Sequence, residues 1–188
     1  GAVERDGFGV CGEGFVEALT SAQWMALRYF SRANRFSRTV SAFAEFHATT
    51  RGTASQTVKG LIKQGYLARI PSETDGRSAR VDMTDIAKAI LARDPLRVLV
   101  DAAEALPGRL RGQLVKLLER MLGHVARQRS RPSFGICASC AHLRSGERCR
   151  NDPCRYQCDL LNEPLAAKEI EQICISFEPG ETSAMQPF

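Results

Sequence analysis

Six of the seven cysteines fall between Cys137 and Cys174, in the run FGICASCAHLRSGERCRNDPCRYQCDLLNEPLAAKEIEQICISFEPG. Thiols at that density either cross-link a small secreted fold or bind metal and do redox work. The opening residues GAVERDGFGV carry no apolar stretch of a secretion signal, so metal or redox chemistry is the expectation. Cys137 and Cys140 form a Cys-x-x-Cys pair, which can turn two sulfurs onto one centre from a single tight turn. Cys158 precedes Leu160 and Leu161, and Cys174 lies among Ile173, Ile175 and Phe177. Both surroundings could build a small apolar core around a centre. Cys149 and Cys154 sit in RCRNDPCRY, which reads as an exposed polar loop. The favoured ligands are therefore Cys137, Cys140, Cys158 and Cys174, with Cys149 and Cys154 as alternates. A rival set, Cys137, Cys140, Cys154 and Cys158, has the paired spacing of a zinc ribbon. Four thiolates suit an iron–sulfur cluster, of 4Fe–4S or 2Fe–2S type, or Zn2+. The single close pair and two distant single cysteines favour the cluster; a metal-free thiol switch is the third reading. His142 is expected beside the centre rather than on it, and Cys11 stands apart.

A second group of residues could hold DNA. Arg51, Ser55 and Lys59 recur at four-residue spacing, with Thr53 and Gln56 alongside. Arg can read guanine and Gln adenine, whereas Ser, Thr and Lys more often hold phosphates. Asp75 and Arg77 follow in a turn-rich segment, and Arg80 in the strand expected after it. From Arg28 to Arg93 there are twelve lysines and arginines against five aspartates and glutamates, while the whole chain carries only +5. A basic middle suits a polyanion partner.

The elements that must position these groups can be read from periodicity. Residues 13–36 are expected to be helical, with a start signal at Thr20-Ser21 and a stripe of Trp24, Leu27 and Phe30. A second helix is expected after Ser37–Thr39, carrying Val40, Phe43, Ala44 and His47. A third opens at Thr49-Thr50, with an apolar face of Ala54, Val58, Leu61 and Ile62, and ends at Gly65. A hairpin follows, from Tyr66–Ile70 through a turn containing Asp75-Gly76 to Ala79–Met83. One helix is expected from Thr84 to Leu106, bent near Pro95, and another from about Arg109 to Gln128. The second carries Leu110, Leu114, Leu117, Leu118, Met121, Leu122 and Val125, a stripe wide enough for a partner helix. Residues 127–132 read as a linker. The fold class is mainly α with a small β-hairpin wing: a winged helix-turn-helix with dimerisation helices over 13–128, plus a small Cys-rich metal-binding C-terminal module over 133–180.

The runs LTSAQWMALRYF, TVSAFAEFHATTRGTASQTVKGLIKQGYLARI and TDGRSARVDMT resemble the MarR family of transcriptional regulators, most closely over about 19–92. The resemblance implies that the wing arginine, Arg77, enters the minor groove, positioned by Asp75. It places the recognition-helix contacts on Thr50, Arg51, Thr53, Ser55 and Gln56. It also implies a homodimer on a pseudo-palindromic double-stranded operator. This chain departs from the family in its short segment before Leu19 and in the cysteine module. The pattern Cys-x-x-Cys, Cys-x-Leu, Cys-x-x-Phe in turn resembles small iron–sulfur modules attached to other enzymes and regulators.

The expected function is operator binding modulated by a C-terminal iron–sulfur cluster, in redox or iron sensing. The alternative is a regulator responding to a small ligand, with structural zinc in the module. No Ser/His/Asp set, phosphate loop or paired carboxylate supports catalysis, so no enzyme is expected. No run approaches the roughly 18 apolar residues of a membrane helix, and the expected location is the cytoplasm.

Overall fold

The computed structural model describes residues 19–71, 79–128, 134–145 and 156–180. The chain begins with three short helices, α1 (Ser21–Arg32), α2 (Val40–Phe46) and α3 (Arg51–Lys63). Each starts on a threonine whose hydroxyl accepts from a backbone N–H of the first turn: Thr20 from Gln23, Thr39 from Ala42, Thr50 from Thr53. Thr20 and Gln23 close a full capping box, so two otherwise orphaned donors are satisfied together. Leu27, Tyr29 and Phe30 of α1, Phe43 of α2, and Ala54, Val58 and Leu61 of α3 form one core with Leu67 and Val81. Gly65 ends α3 at φ +77°, a backbone state that costs a side-chain-bearing residue strain.

An antiparallel ribbon follows, β1 (Leu67–Pro71) against β2 (Ala79–Met83), with Leu67 opposite Met83 and Pro71 opposite Ala79. Its turn, with Asp75, Gly76 and Arg77, lies outside the described residues. The three helices and the ribbon together make the expected winged helix.

Two helix expectations are corrected. The first helix stops at Arg32 rather than 36, because Ala33 is extended (ψ 139°) and Asn34 N–H donates to Ile173 O at 2.9 Å. Residues 13–18 of that expectation lie outside the described residues, as does Cys11. The expected helix from Thr84 to Leu106 is two: α4 (Asp85–Leu91) and α5 (Arg97–Glu104). Pro95 has no N–H and its ring opposes the carbonyl four residues earlier. Asp94 completes the break: its carboxylate accepts from Leu96 N–H at 2.8 Å and takes a two-pronged bond from Arg28 on α1.

Helix α6 (Gly108–Gln128) projects its apolar stripe outward. Leu110, Leu117, Leu118, Met121, Leu122 and Val125 are all about half exposed or more, as are Val98 and Leu99 on α5. Packing among the described residues does not cover them.

The cysteine module is built from short pieces. The strand β3 (Gly135–Ile136) pairs with β7 (Ile173–Cys174), and β4 (Leu143–Ser145), β5 (Tyr156–Cys158) and β6 (Glu163–Leu165) form a meander. A Cβ on Gly135 would stand 2.6 Å from the Phe177 ring, so a side chain there has to push that ring aside. The module does not trail behind α6. It seats on the α1–α2 corner: Ala33 bridges Ile173 in parallel, and Phe134 meets Phe46 edge to face at 5.0 Å. Ile175 of the module packs on the winged-helix core, and Phe36 of the corner packs on the module's core. Arg35 clamps the outside, bonding the carboxylate of the buried Glu169 at 3.0 Å and Pro164 O at 2.6 Å.

Candidate nucleic-acid interface and thiol pocket

The first turns of α3 offer the groups expected to meet DNA. Arg51, Thr53, Gln56 and Lys59 are exposed and Ser55 is half-buried. Ala54 and Val58 hold the opposite face in the core, which fixes the rotation of the helix. The Thr50 hydroxyl caps α3 and also lies 2.9 Å from that of Thr53. Thr57 bonds back to Thr53 O at 3.1 Å. The helix N-terminus adds its own positive field, which favours a phosphate. On the ribbon, Arg80 is partly exposed, with its guanidinium 3.6 Å from the Asp82 carboxylate. The expected minor-groove pair, Asp75 and Arg77, lies outside the described residues.

Behind the helix-turn-helix sits the second candidate site. Cys137, Cys140, Cys158 and Cys174 line one pocket with His142, Leu143, Leu165 and Ser176. The four thiols come from three places: the turn after β3 supplies Cys137 and Cys140, β5 supplies Cys158, and β7 supplies Cys174. The turn is fixed from outside by Ala141 N–H to Glu178 O and Gly180 N–H to Ser139 O. All four are free thiols. Among the described residues, no three His, Cys, Asp or Glu side chains are arranged to hold a single metal ion. The four cysteines line a common space. Cys149 and Cys154 lie outside the described residues. His142 lines the pocket wall, with Nε2 3.2 Å from a Glu178 carboxylate oxygen.

Cys137 and Cys174 are both buried, and the electrostatics of the pair are asymmetric. The neighbouring Cys137 thiol pulls the Cys174 thiol down from its ordinary value, and bonds from Asn34, the Ser176 N–H and Ser37 act the same way against the cost of burial. Cys137 is pushed up by the bond it gives and by burial. A thiolate held in place by N–H and O–H donors is the form that binds metal. The Asn34 amide stands 3.6 Å from Cys137 Sγ and belongs to the winged helix.

Periodicity and motif spacing missed Asn34 and Ser37. Asn34 is 103 positions from Cys137 in the chain. Periodicity places Asn34 inside the expected first helix and Ser37 in the start signal of the second, and no local signal marks them as neighbours of a thiol centre. His47, expected within the second helix, lies one residue past its end as the C-cap, partly buried and ringed by Tyr29, Phe43 and Phe46.

No helix among the described residues is long and apolar enough to cross a membrane. No curated protein matches the chain. Among solved structures, a MarR transcriptional regulator from Methanosarcina mazei Go1 is 22% identical, over 57% of this chain and 78% of that one, with a TM-score of 0.46. FabT of Streptococcus pneumoniae, solved in complex with DNA, is 18% identical over 62% and 82%, with a TM-score of 0.47. MepR of S. aureus, also solved with DNA, is 18% identical over 56% and 80%, with a TM-score of 0.43. Residues 19–78 match the model of the MarR family, and they span α1, α2, α3 and the first strand of the ribbon.

Proposed function

We propose that the chain is a MarR-type DNA-binding transcriptional regulator whose four pocket thiols hold an iron–sulfur cluster, and that the cluster modulates operator binding. The observation that carries this is the position of the pocket. Four cysteines from three separate segments face one apolar space, and that space is pressed against the corner that leads into α2 and α3. The family match over residues 19–78 supports the DNA-binding half of the reading. The exposed α5 and α6 stripe supports a dimer, and a two-fold dimer sets two copies of α3 about one DNA turn, ~34–36 Å, apart on a pseudo-palindromic site.

The spacing of the cysteines, one close pair and two distant single residues, favours a cluster over zinc. Zinc draws four sulfurs to about 2.3 Å around one point. A cluster likewise takes four thiolates, and these four line one pocket from three segments. Cys137, Cys140, Cys158 and Cys174 would hold it, and when bound it would supply a centre that is sensitive to iron supply and oxidation. The first test is an absorption spectrum with iron, sulfide and zinc analysis on the full chain purified without oxygen. Broad visible absorbance with stoichiometric iron and sulfide is expected. One zinc per chain with no sulfide overturns the cluster and makes the module structural, with a small ligand between the dimer helices as the signal.

A further inference from the structure

We propose that the corner Ala33–Arg38 couples the thiol centre to the wing, with Asn34 and Ser37 as positioning residues on the centre's side and Arg38 as the link to the ribbon. This rests on the reading of the pocket as a cluster site that modulates DNA binding.

Asn34 and Ser37 are both fully buried, at 0% exposure. Ser37 N–H donates to the Asn34 side-chain oxygen at 2.9 Å, which fixes the amide so that its NH2 faces Cys137 Sγ. Ile175 N–H, next to Cys174, donates to Ser37 Oγ at 2.9 Å. Tyr29 OH donates to Ser37 O at 2.7 Å and ties the corner to the aromatic core under α2. The far side of the same turn reaches the wing. Val81 N–H on β2 donates to Arg38 O at 2.7 Å, and the Arg38 guanidinium bonds Asp82 at 3.0 Å and, through Nε, Ala33 O at 2.9 Å. One short turn therefore carries hydrogen bonds to the thiol centre on one side and to the wing strand on the other.

The consequence is energetic as well as geometric. A filled centre pins the sulfurs of Cys137 and Cys174, and with them the groups that rest on them. An empty centre leaves those side chains free to change rotamer, and the corner loses fixed partners. A ligand shifts an equilibrium only through differential contacts in the two states, and the bonds from Asn34 and Ser37 are such contacts. Movement at the corner displaces β2, because Val81 and Asp82 hang from Arg38. The wing and the start of α2 would then leave the register that DNA requires.

The test uses the full chain, purified without oxygen, and a DNA duplex selected by the loaded protein from a random-sequence pool. Metal is removed with a chelator, and affinity and backbone hydrogen exchange are compared in the two states. The wild type is expected to lose at least tenfold in affinity on metal removal, with faster exchange at Val81. In Arg38→Gln, which lies on the wing side of the corner, iron and sulfide content stays at the wild-type ratio while the affinity difference shrinks below threefold. Asn34→Leu and Ser37→Ala are expected to shrink it too, and Asn34→Leu to lower the cluster's reduction potential, since N–H donors to the sulfurs raise it. An iron-loaded Arg38→Gln that keeps the full wild-type difference overturns the coupling and leaves the cluster reading intact. A wild-type chain without iron and sulfide overturns the cluster reading, and the metal analysis shows this before any DNA is added.

Discussion

Truncating Leu118 to alanine should weaken a dimer built on α6 by about thirtyfold. Leu118 is 48% exposed in the single chain, so roughly half of its side chain waits for cover. Burying a whole leucine side chain is worth about 1.5–3 kcal/mol, so half of one contributes about 1 kcal/mol. A two-fold interface uses the same residue twice, which doubles the loss to about 2 kcal/mol, or roughly thirtyfold in the dissociation constant. The neighbouring Met121 and Leu122 are 65% and 69% exposed and belong to the same stripe, so adding Met121→Ala should deepen the loss further. Sedimentation equilibrium over a dilution series measures the constant directly. The helix is solvated in the monomer, so circular dichroism of the variant should stay unchanged. A Leu118→Ala chain that dimerises as tightly as the wild type would refute the assignment of α6 to the interface. DNA affinity gives an independent check, since a weakened dimer should bind a two-half-site duplex less tightly and a single half-site no differently.

Three further outcomes follow from particular contacts. Gly135→Ala forces a methyl into the Phe177 ring, which stands 2.6 Å from the Cβ position, and overpacking of this kind costs about 1–3 kcal/mol; thiol labelling of Cys137 and Cys174 should accelerate. Gly60→Ala should stabilise the chain by up to about 1 kcal/mol, because the new Cβ meets Gln23 at an ordinary 3.8 Å and the backbone is helical; a thermal melt that fell would refute it. The Arg28 hydrogen bonds hold the Asp94 carboxyl below its usual range. Its folded value lies below the unfolded one, so its contribution is fully present above about pH 4 and is lost as pH falls through the folded value. Asp94→Asn should therefore flatten the acid limb of the stability curve, as denaturant titrations between neutral and acid pH would read out.

Local chemistry made much of the fold legible. Thr20, Thr39 and Thr50 each begin a helix because a threonine oxygen is the nearest acceptor for a free N–H of the first turn. The face of α3 follows from Ala54, Val58 and Leu61 at helical spacing. Where the reading ran long, a competing group decided. Pro95 and the Arg28-held Asp94 break the stretch after α4, and Ile173, more than a hundred residues away in the chain, takes the Asn34 N–H and ends the first helix.

Residue type and local spacing were enough to name the candidates: six clustered cysteines, with the four outside the polar RCRNDPCRY loop favoured, a polar face on α3 carrying Arg51 and Lys59, and a wide apolar stripe on α6. Such properties hold whatever the rest of the chain does. Where the thiol pocket sits is a matter of long-range packing. A linker between α6 and the module would allow many placements. The one adopted exchanges Phe36 and Ile175 between the two cores and satisfies the buried polar groups of Asn34 and Ser37. Buried polar groups must find partners somewhere, and here those partners lie beside Cys137 and Cys174, which sets the thiol pocket against the corner that begins the DNA-binding helices.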